Sequence, residues 1–225
     1  ADKAPGKFRM DILLDYWKRQ LEKNDKITVK LSTEITDEKL AEIKRTLDPK
    51  VVCLNVGGKP FVPNMPGLEN AVTAHDVLSG RVSVEGKRVV IIGGGMTALE
   101  TAEFMAERKN TIVLCEMMPQ FAADTFIYRV VKTQLGLARQ GVAMKPHTMV
   151  LGANADGVMY KDLVTGLESV LPAEVIVLSL GVRPDRALRA KLEGMFENVV
   201  VLGDSNKTGT LQNATGETFH RLKRI

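Results

Sequence analysis

The chain has 225 residues, a net charge of +4 and 44% hydrophobic residues, enough for one large or two small domains with buried cores. Its apolar runs are only a few residues long, against the roughly 20 that a membrane-spanning helix needs, and ADKAPGKFRM carries no apolar signal region. Lys and Arg alternate with Asp and Glu, which argues against a nucleic-acid-binding stripe, and neither a membrane nor a nucleic acid is expected as a partner.

Met10, Leu13, Leu14, Trp17 and Leu21 lie on one face of a predicted helix. KITVKLS then alternates like a strand, and Thr36 is placed to cap a helix carrying Leu40, Ile43 and Leu47 on one side. VVCLNV reads as a buried parallel strand, and GGKPFVPNMPGLENA as a loop and the best linker. From Lys87 a new pattern begins: strand RVVIIG, helix Met96–Arg108, strand TIVLCE, and a helical face of Ile127, Val130, Val131, Leu135 and Ala138. GVAMK is a short strand. TMVLGA, GVMYKD and ESVLPA, separated by NADG and VTGL, form a predicted antiparallel meander. EVIVLSLG is a strand, VRPDRALRAKL turns into a helix, NVVVLGD is a strand, and TLQNATGETFHRLKRI is helical, its basic end suiting the helix dipole.

Strands alternating with helices imply an α/β fold with Rossmann-like parallel sheets beside the small meander. One sheet is expected over roughly Lys87–Lys191 and a second from the flanks. The expected division is 1–66 with 197–225 as one domain, and 67–196 inserted in it.

GGGMTA supplies Gly93-x-Gly95-x-x-Ala98, with Gly94, Met96 and Thr97 between them. The pattern gains meaning from the strand before it and the helix after it. Gly93 permits the tight turn, and Gly95 lets backbone N–H groups approach a pyrophosphate. Ala98 and Ala102 allow close helix–sheet packing, and the helix N-terminus favours phosphate. Glu116 stands at the end of the next strand, 23 positions after Gly93, where an acid accepts hydrogen bonds from a ribose diol. A carboxylate there repels a 2′-phosphate, and Met117 and Met118 follow rather than Arg, so NADH is expected over NADPH. A Gly-rich loop in a nucleotide-free domain is the alternative. Glu100, one turn into the helix, is either solvated or turned to the nicotinamide side. Met117 and Met118 are read as core packing rather than adenine contacts. Cys53 and Cys115 are expected to be buried reduced thiols, which fits a cytoplasmic location. His75, His147 and His220 are expected at the surface or in packing, and no pair has metal-ligand spacing.

The stretch VTAHDVLSGRVSVEGKRVVIIGGGMTALETAEFMAERKNTIVLCEMMPQFAAD resembles the pyridine-nucleotide domain of bacterial enoate reductases and 2,4-dienoyl-CoA reductases, large NADH:flavin oxidoreductases related to old yellow enzyme. PGK with the helix after it, LSLGVRP and VVVLGDSNKTGTLQNA fit the same pattern, so the resemblance covers almost the whole chain. It implies two nested dinucleotide folds, one for FAD and one for NAD(P)H. Gly203 and Asp204 would then meet the flavin's ribityl–pyrophosphate region, and Leu211 would open a helix directed at the flavin. Gly57 would match the Gly of an Ala-Thr-Gly turn whose Thr is absent here. Gly181 would hold the parallel turn of the NAD domain.

The resemblance also implies an upstream FAD glycine loop, an FMN barrel and an iron–sulfur site. Two separated cysteines cannot hold a four-cysteine cluster. No Met precedes Met10, and the expectation is a C-terminal piece of a longer flavoprotein that does not retain FAD by itself. The implied chemistry is hydride transfer from NADH to FAD, for reduction of an activated C=C bond. It needs no side-chain acid or base in this region, so no catalytic residue is assigned. Alternatives are a nucleotide-holding module like that of related amine dehydrogenases, the NADH domain of an NADH oxidase-type flavoprotein, and a non-catalytic scaffold. Whether copies associate is left open.

Overall fold

The computed structural model describes residues 3–223. In chain order its elements are α1 (Phe8–Glu22), α2 (Asp37–Leu47), β1 (Val52–Leu54), β2 (Gly58–Pro60), β3 (Val72–Thr73), α3 (Ala74–Leu78), β4 (Arg88–Ile92) and α4 (Met96–Ala106). Then follow β5 (Thr111–Cys115), α5 (Ile127–Arg139), β6 (Ala143–Lys145), β7 (Thr148–Asn154), β8 (Gly157–Asp162), β9 (Glu168–Leu171), β10 (Val175–Leu178), β11 (Val182–Pro184), α6 (Arg186–Met195), β12 (Val199–Val201) and α7 (Leu211–Leu222). Among the described residues no helix is long and apolar enough to cross a membrane.

Two compact units emerge: Ala1–Tyr16 with Pro60–Gly181, and Trp17–Lys59 with Val182–Ile225. The chain thus crosses at 16/17, 59/60 and 181/182, where the sequence-based division crosses at 66/67 and 196/197 only. Helix α6 goes with the second unit because Leu188, Leu192 and Met195 pack against Leu40, Leu54 and Val201.

The first unit holds a parallel sheet of order β3-β10-β4-β5-β6. Alternate side chains of β4 go to opposite faces, and both faces are buried. Val89 and Ile91 join Ala98, Leu99, Ala102 and Met105 of α4 in one core. Val90 and Ile92 join Leu68, Ala153 and Val158 in another, on the side of the meander β7-β8-β9. That meander is antiparallel, as its turn chemistry predicts. Asn154 Oδ1 accepts the N–H groups of Asp156 and Gly157, which closes the β7–β8 turn.

The second unit pairs β1 with β12 in parallel, and β2 with β11. Helix α2 is capped as expected, Thr36 Oγ1 accepting the Lys39 N–H at 3.3 Å.

Four readings need correction. KITVKLS forms no strand: Ile27, Val29 and Leu31 are 43%, 52% and 82% exposed. Alternation makes a strand only where a neighbouring edge and a core receive it. Cys53 is exposed, because β1 has only β12 beside it and turns Leu54 inward instead. The buried face of α5 centres on Val130 and Leu137, leaving Ile127, Val131 and Leu135 exposed. The GGKPFVPNMPGLENA stretch is not all loop, since it contributes β2. In addition, the α1 stripe has no fully buried member. Arg224 and Ile225 of the basic tail lie outside the described residues, and its Arg221 pairs with Glu217 one turn back at 2.9 Å.

Candidate functional site

The order β6-β5-β4-β10 within the first unit's sheet is that of a 3-2-1-4 Rossmann half, with the connections reversing direction between β4 and β10. Ligands of open α/β sheets lie at the carboxyl ends of strands at such a reversal. The glycine loop occupies this place. Its shape is set by three different demands on three consecutive residues.

Gly93 ends β4 with φ +110°, and a Cβ there would run into the Ser179 carbonyl just beyond β10. Its N–H donates to the Cys115 carbonyl at 2.9 Å. Gly94 is buried, and a Cβ on it would stand 2.6 Å from Cβ, Cγ and Oε2 of Glu116. Its carbonyl accepts the Ala122 N–H at 2.8 Å. Gly95 is the exposed N-cap of α4, at φ −66° and ψ 171°, and a Cβ there would meet nothing within 4 Å. The first two glycines are demanded by the protein itself. The third leaves open space beside the free N–H groups of a helix N-terminus.

Met96 is half-buried and Thr97 exposed on the same rim, while Ala98 and Ala102 are fully buried under it. No side chain caps α4, so the N–H groups of Met96 and Thr97 keep their capacity for an anion, while that of Ala98 donates to the Gly95 carbonyl. Glu116 follows β5, its backbone bound on both sides: its N–H donates to Lys145 and its carbonyl accepts from Thr148. Its Oε1 accepts the Met118 N–H at 2.7 Å, which fixes the carboxylate against the loop. Gly181 lies two residues past Ser179 with φ +81°, and its carbonyl accepts the Phe61 N–H.

The first-unit residues singled out in the sequence therefore lie beyond the carboxyl ends of three adjacent strands, β4, β5 and β10. Met117 and Met118 are 53% and 55% exposed beside Glu116, so they are not core. Glu100 is neither solvated nor free. It is 8% exposed and paired with Lys7 Nζ at 2.8 Å and with Arg129. Cys115 is inert, since burial pushes its thiol up to about 12.

In the second unit, Gly57 and Gly203 lie in the loops that follow β1 and β12. Gly57 has φ +74° and Gly203 φ +52°, with Asn55 Oδ1 3.0 Å from where a Gly203 Cβ would stand. Asp204 folds back onto its own loop, Oδ1 accepting the Gly209 N–H at 3.0 Å. Leu211 opens α7 and is exposed, behind the Thr210–Asn213 capping box. Ser205 was missed by the sequence reading. It is 3% exposed, and its hydroxyl accepts the Val56 N–H at 2.8 Å and donates to the Gly57 carbonyl at 3.1 Å. A serine after Gly-Asp looks like any loop residue, and only the pairing of β1 with β12 reveals its partners. Among the described residues no group of three or more His, Cys, Asp or Glu is placed to hold a metal.

Comparison with known proteins adds to this geometry. The chain is 29% identical over 230 residues to an NADH oxidase of Thermoanaerobacter brockii, covering 97% of this chain and 34% of that protein. It is 22% identical over 224 residues to a cinnamate reductase of Clostridium sporogenes, covering 96% and 32%. The chain thus spans about a third of the length of these curated relatives. Among solved structures, a 2-naphthoyl-CoA reductase in complex with 2-naphthoyl-CoA superposes with a TM-score of 0.89 at 26% identity, over 100% of this chain and 33% of that one. Residues 14–210 match the family described as pyridine nucleotide-disulphide oxidoreductase. The chain belongs to that family of flavoprotein oxidoreductases, which bind FAD and NAD(P)H.

Proposed function

We propose that this chain is the NADH-binding part of a flavin-dependent oxidoreductase that passes hydride from NADH to FAD for reduction of an activated C=C bond. The observation that carries the reading is the contact of Gly94 with Glu116 at the end of β5. It sets a carboxylate beside the glycine loop, where a ribose diol would donate to it and a 2′-phosphate would be repelled. Gly95, Met96 and Thr97 would hold the pyrophosphate through backbone N–H groups. Gly93 and Ala98 would shape the loop beneath it, and Gly181 would border the crevice. Bound NADH supplies the hydride; the chain's part is to bind, orient and exclude water.

We assign Gly57, Gly203, Asp204 and Leu211 of the second unit to the flavin side. The chain by itself is expected not to retain FAD, because its sequence holds a single G-x-G-x-x-A loop. The C=C substrate is supported by the likeness to a cinnamate reductase and a 2-naphthoyl-CoA reductase. ADP alone would use the same Glu116 and loop contacts. A nucleotide-holding role without NADH turnover is therefore the second reading, which the same contacts serve equally.

Calorimetric titration with NADH, NADPH and ADP tests the reading. The expected order places NADH above NADPH by about tenfold or more, the effect of a like charge beside a phosphate. NADPH binding more tightly than NADH would refute the role of Glu116. A stoichiometric flavin absorbance in the purified chain would refute the FAD expectation.

A further inference from the structure

A cavity of about 400 Å³ lies within the second unit, between one face of α6 and the loop that follows β12. Arg186, Arg189 and Glu193 line it from the helix, and Ser205 and Asn206 from the loop. Its electrostatics run against the usual helix rule. The N-terminal turn of a helix is its positive end and favours acids. The first turn of α6 has none, and instead carries Arg186 at its first position. Arg189 stands one turn on, on the same face.

The acids nearby are already engaged. Asp185, the N-cap, accepts the Leu188 N–H at 3.1 Å and pairs with Lys59 at 2.6 Å. Glu193 pairs with Arg189 Nε at 2.8 Å, leaving that guanidinium's terminal N–H groups uncommitted to it. Asn206 Nδ2 donates to Glu217 at 2.6 Å. Asp185 occupies the helix N-terminus, so the positive potential of the concave site comes from its two guanidinium groups, of which Arg189 is shared with Glu193 and Arg186 has no acid partner among the described residues. Planar guanidinium forks match the oxygens of a tetrahedral oxyanion.

We propose that this cavity is a phosphate-binding site, separate from the glycine loop, in which Arg186 and Arg189 hold a phosphate group. The group is either free inorganic phosphate or the terminal phosphate of a phosphomonoester. The experiment follows the side-chain Nε–H resonances of Arg186 and Arg189, and the Asn206 amide, by NMR during titration of the whole chain. Inorganic phosphate, methyl phosphate and sodium chloride at matched ionic strength serve as titrants. The expected result is saturable shifts with phosphate at a Kd on the order of millimolar, and none with chloride. Arg186→Gln with Arg189→Gln should weaken binding by about tenfold or more, since each charge-assisted contact is strong. Both side chains are exposed, and an unchanged melting temperature would show that the variant is folded. Methyl phosphate binding as well as phosphate points to a phosphomonoester ligand; a loss of about tenfold points to the free ion. Shifts that grow linearly with salt, that chloride reproduces, or that the double substitution leaves unchanged would overturn the proposal.

Discussion

Gly95→Ala and Gly94→Ala, compared side by side, separate ligand binding from stability within one loop. A methyl at Gly95 enters space with no protein atom within 4 Å, and the φ of −66° suits alanine. The protein itself should tolerate it. A small loss from a poorer N-cap is offset by about 0.4–1 kcal/mol from a stiffer unfolded chain. A bound pyrophosphate should not tolerate it, because the methyl stands where its oxygens approach the α4 N–H groups. Losing one charge-assisted hydrogen bond costs about 1.5–3 kcal/mol, or about 10- to 150-fold in Kd.

At Gly94 the methyl meets Glu116 at 2.6 Å, and one of the atoms met is Cβ, which a rotation of the side chain does not move. The strands must shift, at an overpacking cost of about 1–3 kcal/mol. In a chain of this size that lowers the melting temperature by about 2–12 °C. Gly94→Ala should therefore lose both stability and NADH affinity, and Gly95→Ala affinity alone. Differential scanning fluorimetry with calorimetric NADH titration reads both quantities. Wild-type NADH affinity in Gly95→Ala would refute the placement of the pyrophosphate, whatever Gly94→Ala did.

Ser205→Ala removes a buried hydroxyl that joins the Val56 N–H to the Gly57 carbonyl and should cost about 1 kcal/mol in denaturant unfolding. A change below about 0.5 kcal/mol, ordinary for a surface substitution, would show that the hydroxyl does not tie the two loops together. Cys53 should react with a thiol reagent in the native protein at pH 8 while Cys115, buried and raised to about 12, reacts only after denaturation. Two fast thiols in the native state would contradict this burial. Thr73→Ala removes the α3 cap and should cost about 1 kcal/mol at pH 7. The Thr73 hydroxyl, above all, holds the Asp76 carboxyl below its ordinary 3.8. Its contribution is therefore present above that value and is lost as the pH falls through the lower folded one. The gap between wild type and variant should narrow in acid to what the pH-independent bond from the Asp76 N–H to the hydroxyl contributes, and a gap unchanged there would refute the link.

Several features were legible locally because local chemistry decides them. Strand, three glycines and helix follow from Arg88–Ala106 alone, since a turn with φ +110° and a close approach need glycine whatever surrounds them. The meander follows from its Asn-Ala-Asp-Gly turn, and the α2 start from Thr36. Other features depended on partners that no local pattern names. KITVKLS alternates like a strand but has no edge to join. Cys53 sits in an apolar run but on a two-stranded sheet that covers one face. The α5 stripe is apolar on more sides than the sheet can bury, so packing against α4 selected Val130 and Leu137. Glu100 left two readings open until the fold brought Lys7 and Arg129 to it. Ser205 acquired its role only when β1 paired with β12 across 147 positions, Val52 with Val199. Backbone freedom and turn chemistry act over a few residues and can be read from sequence; burial and charge pairing act across the fold, and tertiary structure decides them.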